Sequence, residues 1–384
     1  MKGDDVSVRG PCLGKTRTGS LLLFGQMYKG SVFAIKRYEM VVVRSEDQGE
    51  TWSEPVNAFP DPLPFGAPTN LTWGGATLTS GRILLVGQFG DWKREDSSKT
   101  TTTRTGEISP YGHAVLERHG CTANWRTSDG SRSLYSDDDG KTWQVGEPIE
   151  EGQDGLIIGN MVGAVTQIPD GTLLLPVLIF TNEKAVDGSR MSNGFLRSTD
   201  GGHTWGQPTI VAPWDERLHD MPSEMGIVVL PDDRWVALHR NQFLRDDPGV
   251  GANGGLWRSY SYDHGATWTV SHRIFPTMGY TTAKLLPDGA LIVIGHGPLY
   301  YAVSNNGGET WDYQGRIYNL DYRFGGDCGG FAAENLDNGR MLIAYFGKAD
   351  RSLLYETPFE YGKLRLEVAS LKKVEANSVE GRMG

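Results

Sequence analysis

Carboxylates that could act as acids, bases or metal ligands recur in one short pattern, S-x-[DN]-x-G-x-T-W. The copies are SEDQGETW from Ser45, SDDDGKTW from Ser136, STDGGHTW from Ser198, SYDHGATW from Ser261 and SNNGGETW from Ser304. In a tight turn an Asp carboxylate accepts backbone N–H groups, Gly adopts a positive φ, and Trp packs as a large apolar anchor. We therefore interpret these carboxylates as structural, and Asn306 of the last copy as an equivalent acceptor.

The three cysteines, Cys12, Cys121 and Cys328, indicate neither a disulfide framework nor a zinc site. Their number is odd, and no CxxC pair is present. A phosphate-binding loop of the GxxxxGK[ST] type is also missing from the sequence. We expect free, buried thiols, no metal and no organic cofactor.

The net charge of −10 argues against nucleic acid or an anionic membrane as a partner. It leaves room for a small anionic substrate, because a local group of arginines can bind one carboxylate on an acidic protein. The opening residues, MKGDDVSVRG, lack the apolar stretch of a signal peptide, and no apolar run approaches the ~20 residues of a membrane span. We expect a soluble chain, either cytoplasmic or the mature form of a secreted protein, of unknown oligomeric state.

A second repeat, a Gly or Asp turn followed by an apolar strand, alternates with the first. Its six copies are TGSLLLFG (18–25), SGRILLVG (80–87), DGTLLLPV (170–177), DDRWVALH (232–239), DGALIVIG (288–295) and NGRMLIAY (338–345). Each copy is typical of a hairpin with a buried strand, and radial packing of such sheets protects their edges. The sequence predicts an all-β fold: a six-bladed β-propeller with four-stranded antiparallel blades, one domain over 1–384. We also expect the two chain termini to share one blade.

The octapeptide resembles the Asp-box (BNR) repeat of the sialidase (neuraminidase) superfamily, and the resemblance covers nearly the whole chain. The repeat is specific for the fold and much less so for chemistry, because other propellers carry it. The resemblance implies a glycan substrate whose sialic acid carboxylate is held by three arginines from different blades. It also implies a Tyr nucleophile paired with a Glu, and an Asp acid/base.

Three positions match the family's pattern. Arg9, in Arg9-Gly10-Pro11 before the first Gly turn, corresponds to the first carboxylate-binding arginine. Glu224 and Arg240 lie in SEMGIVVLPDDRWVALHRN, where the family has the Glu that assists the Tyr and a further arginine. An Arg fork suits a carboxylate because it is planar, charged and bidentate. The structural alternative is that Glu224 and Arg240 form only an ion pair within the blade.

Other positions depart from the family's pattern. Lys29 stands where the second arginine is expected, and GSVFAIK, which follows it, contains no acid/base Asp. The Tyr position falls on Gly330, and His296 stands near the place of the third arginine. A Lys supplies charge without the fork. The family's covalent Tyr–Glu mechanism therefore cannot operate here in its usual form.

Replacements for the missing groups are available in the last two blades. We expect Asp327 and Tyr322, with Glu224, as catalytic residues. Arg323, Lys29 and His296 would then join Arg9 and Arg240 in binding the substrate. Tyr300 lies near the same place, and Asp91 and Asp220 begin or end loops. On the simplest interpretation each of these residues alone, Asp327, Tyr322 and Arg323 included, is an ordinary loop residue.

The segment 91–134 interrupts the repeats and explains the spacing of 91 residues between the first two Asp boxes. It is polar, rich in Thr at its start, and contains His113 and His119. It is either a solvated insertion or a rim over the axial pocket, where propeller loops gather.

Three functions remain open at this point. The first is a sialidase-like exo-glycosidase, a glycoside hydrolase with non-standard catalytic residues, which removes a terminal acidic sugar by direct water attack. The second is a polysaccharide lyase, in which His or Tyr removes the proton next to a uronate carboxylate. The third is a propeller that binds glycans without turnover.

Overall fold

The computed structural model describes most of the strand-forming part of the chain. The described residues are 6–29, 39–66, 68, 70–71, 75–89, 130–149, 156–161, 163–181, 191–213, 220–243, 255–276, 279–296, 300–316, 329–336, 341–346 and 364–369. They form strands and turns, with no α-helix among them. Accordingly, the described part of the chain offers no helix long and apolar enough to cross a bilayer.

The first half of the chain forms three antiparallel sheets. Sheet 1 contains β1 (Val6–Lys15), β2 (Leu21–Lys29), β3 (Glu39–Ser45) and β4 (Val56–Asn57). Sheet 2 contains β5 (Asn70–Leu71), β6 (Ala76–Thr77), β7 (Ile83–Gln88), β8 (Ser131–Ser136) and β9 (Gln144–Pro148). Sheet 3 contains β10 (Leu156–Met161), β11 (Thr166–Gln167), β12 (Leu173–Thr181), β13 (Met191–Ser198) and β14 (Thr209–Ala212). In sheets 2 and 3 the first strand is divided into two pieces that pair with the same neighbour.

The second half of the chain forms three further sheets. Sheet 4 contains β15 (Asp220–Val229), β16 (Trp235–Phe243), β17 (Leu256–Ser261) and β18 (His272–Phe275). Sheet 5 contains β19 (Gly279–Leu285), β20 (Leu291–His296), β21 (Tyr300–Ser304) and β22 (Tyr313–Arg316). Sheet 6 contains β23 (Gly329–Asn335), β24 (Met341–Phe346) and β25 (Leu364–Ala369).

The prediction of an all-β propeller with four-stranded antiparallel blades is confirmed, but the number of complete blades differs from six. Among the described residues, five sheets have an unbroken path of four hydrogen-bonded strands, and sheet 6 has three strands. The expected sharing of one blade by both termini stays a prediction, because residues 1–5 and 370–384 lie outside the described part of the chain. β1 pairs with β2 in sheet 1, whereas β25 pairs with β24 in sheet 6.

Apolar packing between successive sheets explains the burial of the second strands. Ile83 to Gln88 are all buried because β7 is covered on both faces, and Leu173 to Leu175 of β12 are fully buried for the same reason. Phe24 of sheet 1 meets Trp143 of sheet 2 edge-on at 5.5 Å between ring centroids. Equivalent clusters join sheets 2 and 3, sheets 3 and 4, and sheets 4 and 5.

The five octapeptides form the turns that follow the third strands, as their composition predicts. In the first copy, Ser45 Oγ donates to Asp47 Oδ1 at 2.8 Å, and Gly49 N donates to Ser45 Oγ at 2.8 Å. Gly49 has φ 89°, a conformation that costs glycine little. The same serine-centred contacts recur in the other copies, including the one with Asn306. Cys12 is buried, as expected.

Candidate functional site

A bulge in β15 brings Glu224 opposite Arg240. Pro222 pairs with Asn241 and Met225 with His239, so that Ser223 and Glu224 together oppose the single residue Arg240. A bulge of this kind bends the strand and re-aims a side chain, and bulges are common beside active sites. The local register therefore presents Glu224 toward the guanidinium on the neighbouring strand.

Glu224 and Arg240 form a partly buried ion pair. Arg240 Nη1 donates to Glu224 Oε1 at 3.1 Å and to Oε2 at 3.3 Å. The side chain of Arg240 is 14% exposed and that of Glu224 is 13% exposed, so solvent still reaches the pair. Ser223 Oγ donates to Glu224 Oε2 at 2.7 Å. The carboxylate is thus held by a cationic donor and by a neutral donor.

The pair lies at the end of sheet 4 that is remote from its Asp box. Trp235 pairs with Ser261 at the start of that box, and Arg240 is five residues further along β16. At about 3.3 Å per residue, the separation is ~16 Å. The Asp-box carboxylate of sheet 4 therefore lies well away from Glu224, in agreement with its structural role.

Other positions taken from the sequence occupy the same end of their sheets. In sheet 1, Leu21 pairs with the Asp-box serine Ser45, and Gln26, five residues later, pairs with Arg9. In sheet 5, Leu291 pairs with the Asp-box serine Ser304, and His296 lies five residues later on the same strand. Lys29 ends β2, three residues beyond Gln26. Gly330 lies in a register shift of β23 like that of β15. The described structure gives the backbone at these positions and not the side chains of Arg9, Lys29 or His296.

For each remaining site residue predicted from the sequence, either the whole residue or its side chain lies outside what the structure describes. Asp327, Tyr322 and Arg323 are outside the described residues, as are Asp91, His113, His119, Cys121 and Cys328. Asp220 and Tyr300 begin β15 and β21, respectively, with their side chains outside the described set. The structure therefore brings together Glu224 and Arg240, and leaves the other assignments as predictions.

Three polar residues around the pair were not found from the sequence. Asn193 of β13 is fully buried, and its Nδ2 donates to Ser223 O at 3.4 Å. His239 is also fully buried, with Nε2 at 3.1 Å from Ser271 Oγ, and burial lowers its pKa to about 4. The third is Ser223 itself. Ser223 and His239 could have been noticed in the sequence only because they are adjacent to Glu224 and Arg240. Asn193 offered no sequence signal, because its contact with Ser223 joins two different sheets.

A close backbone approach supports the same bulge. A Cβ at Gly163 would lie 1.9 Å from Met225 O, which immediately follows Glu224. Only glycine fits at this distance, because real Cβ atoms do not approach a carbonyl oxygen so closely. Sheet 3 therefore contacts the bulge through the backbone at Gly163 and through the amide of Asn193.

The insertion leaves sheet 2 at the end that corresponds to the Glu224–Arg240 end of sheet 4. It connects β7 to β8, where Gln88 pairs with Ser131, and Phe89 N donates to Gly130 O at 2.9 Å at its base. The expected boundary at 134 needs correction, because 131–134 belong to β8. These four residues continue the ladder with β7. The insertion proper lies outside the described residues.

The chemistry available at the described site is that of a carboxylate beside a guanidinium. Glu224 can accept a proton or stabilise a developing cation, and a guanidinium can bind an anionic group through its planar donors. Among the described residues no group of three or more His, Cys, Asp or Glu could hold a metal ion.

Repeated antiparallel sheets with Asp-box turns define a β-propeller of the BNR-repeat class. A family model described as "BNR repeat-like domain" matches residues 79–324. The chain belongs to this family, and the resemblance to the sialidase superfamily is confirmed.

Individual relatives agree with this assignment. A sialidase from Micromonospora viridifaciens is 32% identical over 161 residues, which are 41% of this chain and 22% of that protein. A protein of unknown function from Dyadobacter fermentans has a TM-score of 0.71 at 20% identity, with 96% of both chains covered. An α-L-arabinanase from Penicillium chrysogenum, complexed with arabinobiose, has a TM-score of 0.59 at 16% identity, covering 96% of this chain and 95% of that one. The structural similarities show a shared fold. The chain spans between about a fifth and just over half of the length of the curated relatives it matches.

Proposed function

We propose that this protein is a sialidase-like glycoside hydrolase that removes a terminal acidic sugar from a glycan. The observation that carries the proposal is the partly buried Glu224–Arg240 pair on a bulged strand of a sialidase-superfamily propeller. The sialidases among its relatives support a glycan substrate.

In this proposal arginines recognise the carboxylate of the sugar. Arg240 supplies a planar guanidinium beside Glu224, and Arg9 occupies the same level on sheet 1. Lys29, Arg323 and His296 would add charge or hydrogen bonds around the same anion. Several cationic groups from different sheets can bind one small anion on a chain whose net charge is −10.

Glu224 is proposed as the general base in a single-displacement hydrolysis. As Glu224 takes a proton from water, the water oxygen attacks the anomeric carbon and the glycosidic C–O bond breaks. Asp327 or Tyr322 would protonate the departing oxygen. Two such groups on opposite faces of the sugar give inversion of configuration. Gly330 at the Tyr position is consistent with this route, because it offers no nucleophile.

We also propose that sheet 6 is the sixth blade of one propeller domain over 1–384. Leu342 and Ala344 of β24 pack against Leu21 and Leu23 of sheet 1. On the other side, Lys284 of β19 forms an ion pair with Glu334 of β23 at 2.7 Å. Sheet 6 thus contacts both the first and the fifth sheet, which supports a closed ring.

The proposal is tested by product analysis on three classes of glycan. Purified protein would be incubated with sialyllactose, an arabinan oligosaccharide and a uronate-containing polysaccharide. Release of free sialic acid from sialyllactose alone is the expected result. Turnover of arabinan alone would overturn the acidic-sugar assignment, because the arabinanase similarity shows that this fold also occurs with a neutral-sugar enzyme.

The other two functions make different predictions in the same assay. A lyase would form unsaturated uronate products, which absorb in the ultraviolet. A binding propeller would retain a glycan on an array without altering it. His239 gives the lyase no support, because it is fully buried and hydrogen bonded to Ser271.

A further inference from the structure

The backbone that carries Glu224 depends on polar contacts that are separate from the ion pair. At the bulge in β15, Ser223 and Glu224 share one partner residue, so the regular ladder is interrupted there. The extra residue of a bulge is left without its usual ladder partner. Contacts other than the regular ladder must therefore fix its orientation.

Asn193 supplies such a contact from sheet 3. It is completely buried on β13, and its Nδ2 donates to the carbonyl oxygen of Ser223 at 3.4 Å. Its Oδ1 accepts from Ala212 N at 3.1 Å, which fixes the orientation of the amide. The pairing of β13 with β14 also shifts register between Asn193 and Gly194. A buried amide is costly unless it is hydrogen bonded, and here it joins two irregular strands.

Ser223 extends this contact to the carboxylate. Its side chain is almost fully buried, and its Oγ donates to Glu224 Oε2 at 2.7 Å. Arg240 approaches the same carboxylate through Nη1. Two sets of contacts therefore constrain the carboxylate. Arg240 and the Ser223 hydroxyl hold it from within sheet 4, and Asn193 of sheet 3 holds the Ser223 backbone next to it.

We propose that Ser223 and Asn193 are positioning residues for Glu224, and that sheet 3 sets the geometry of the reactive carboxylate on sheet 4. The catalytic part of this inference rests on the proposed function. A misplacement of about 1 Å can reduce turnover by ~10²-fold, so loss of either contact should act mainly on kcat.

Three variants and one control test the inference. Ser223→Ala removes the hydroxyl, and Ser223→Thr restores it. Asn193→Asp keeps the shape and the acceptor but replaces the N–H donor with an oxygen that faces the Ser223 carbonyl. Thr166→Val is the matched control, because Thr166 Oγ1 also donates from sheet 3 to a β15 carbonyl, that of Ile227 at 2.8 Å, beyond the bulge.

Kinetics and melting temperature would be measured for each variant on the sialoside. The expected result is a fall in kcat of about 10²-fold for Ser223→Ala and Asn193→Asp, with a much smaller change in KM and with recovery in Ser223→Thr. Thr166→Val should lower the melting temperature and leave kcat unchanged. Unchanged kcat in Ser223→Ala, or equal loss of kcat in the control, would overturn the inference.

Crystal structures separate this inference from the proposed function. If the wild-type protein turns over no sialoside, the proposed function fails, but positioning can still be read from the coordinates. In Ser223→Ala the distance from Glu224 Oε1 to Arg240 Nη1 should increase from 3.1 Å to beyond ~4 Å, the usual limit of an ion pair. An unchanged distance would contradict the positioning role whatever the substrate is.

Discussion

At the scale of single residues, the Glu224–Arg240 pair combines charge, partial burial and a position at a β-bulge. Solvent reaches both side chains only partly, so their attraction is screened less than at the surface. Removing one member of such a pair leaves the other charge without compensation, whereas a neutral isostere of Glu224 still accepts a hydrogen bond. Function and stability can therefore be separated by a conservative substitution.

We predict that Glu224→Gln retains the melting temperature and loses at least ~10²-fold in kcat, because an amide cannot take a proton from water. Glu334→Gln is the matched control. Glu334 is also a first-strand glutamate paired with a cation, at 2.7 Å from Lys284, but in sheet 6. The control should retain turnover. If Glu224→Gln mainly raises KM and preserves kcat, Glu224 only holds Arg240 in place.

At the scale of elements, the Asp-box turns have a clear pH signature. The pKa is lowered to about 2 for four of their carboxylates, Asp47, Asp138, Asp200 and Asp263. At Asp47 and Asp263 the largest cause is the hydroxyl of the Thr four residues later. At the other two the largest cause is partial burial, which raises the pKa, and it is outweighed by the combined hydrogen bonds from the equivalent Thr, the Asp-box serine and a neighbouring backbone N–H.

We predict that these turns destabilise the protein in acid. A carboxylate with a lowered folded-state pKa stabilises the fold above the unfolded value of 3.8, and this contribution is lost as pH falls toward about 2. Unfolding by urea should therefore show constant stability above about pH 5 and a decline below pH ~4. Changing all four aspartates to Asn should flatten that decline and preserve the turns, because Asn306 Oδ1 accepts Thr310 N at 2.9 Å.

The control for this experiment is Asp61→Asn, an exposed aspartate outside the octapeptides. It should leave the acid decline as it is in the wild-type protein. A quadruple variant with an unaltered decline would show that other groups set the acid limit.

Gly163→Ala tests whether sheet 3 controls the bulge through its backbone. A Cβ would lie 1.9 Å from Met225 O, so β15 must move next to Glu224. Overpacking of this kind costs about 1–3 kcal/mol, and we predict a loss of kcat of ~10-fold or more because the carboxylate moves with the strand. Gly206→Ala is the control, since its Cβ would meet only Arg197 O at 3.5 Å. Equal activity in both variants would contradict this prediction.

Local patterns in the sequence predicted the elements better than the site. Asp-box turns and apolar hairpins depend on residues close together in the chain, so their types alone indicate the structure. The bulge in β15 and the Asn193 contact depend on register and on packing between sheets, which repeat spacing does not encode. Counting hairpins likewise does not say which sheet receives the terminal segments, so the shared terminal blade stays a prediction.

At the scale of the whole molecule, similar contacts recur at three successive junctions, from sheet 2 to sheet 5. Arginines reach the Asp box of the following sheet: Arg82 Nη1 donates to Gly201 O at 3.1 Å, and Arg197 Nη2 to His264 O at 2.7 Å. Arg234 pairs with Glu309 in the Asp box of sheet 5. These contacts lie at the end opposite Glu224. These arginine contacts therefore join sheets 2 to 5 without occupying the end that carries Glu224 and Arg240.

The closure between sheets 6 and 1 depends on side-chain packing. In the described structure β1 and β25 belong to different sheets, so no described strand crosses this junction. The buried cluster here has seven described members, five leucines and two alanines, whereas the cluster between sheets 2 and 3 has ten, and none of these is an alanine. We infer that the ring opens first between its last and first sheets.

We predict that Leu342→Ala exposes this weakness and that Leu84→Ala, its matched control, does not. Both leucines are fully buried, so each truncation should lower the free energy of unfolding by about 2–5 kcal/mol. The two variants should differ in which sheets lose protection from amide hydrogen exchange. At the closing junction, the cavity should permit a local opening that speeds amide hydrogen exchange in sheets 6 and 1 ahead of the other sheets. At the junction of sheets 2 and 3, flanking sheets remain packed on both sides, so exchange should follow global unfolding. Exchange that accelerates uniformly in Leu342→Ala would mean that the junction is as strong as the others, and that the ring unfolds as one cooperative unit.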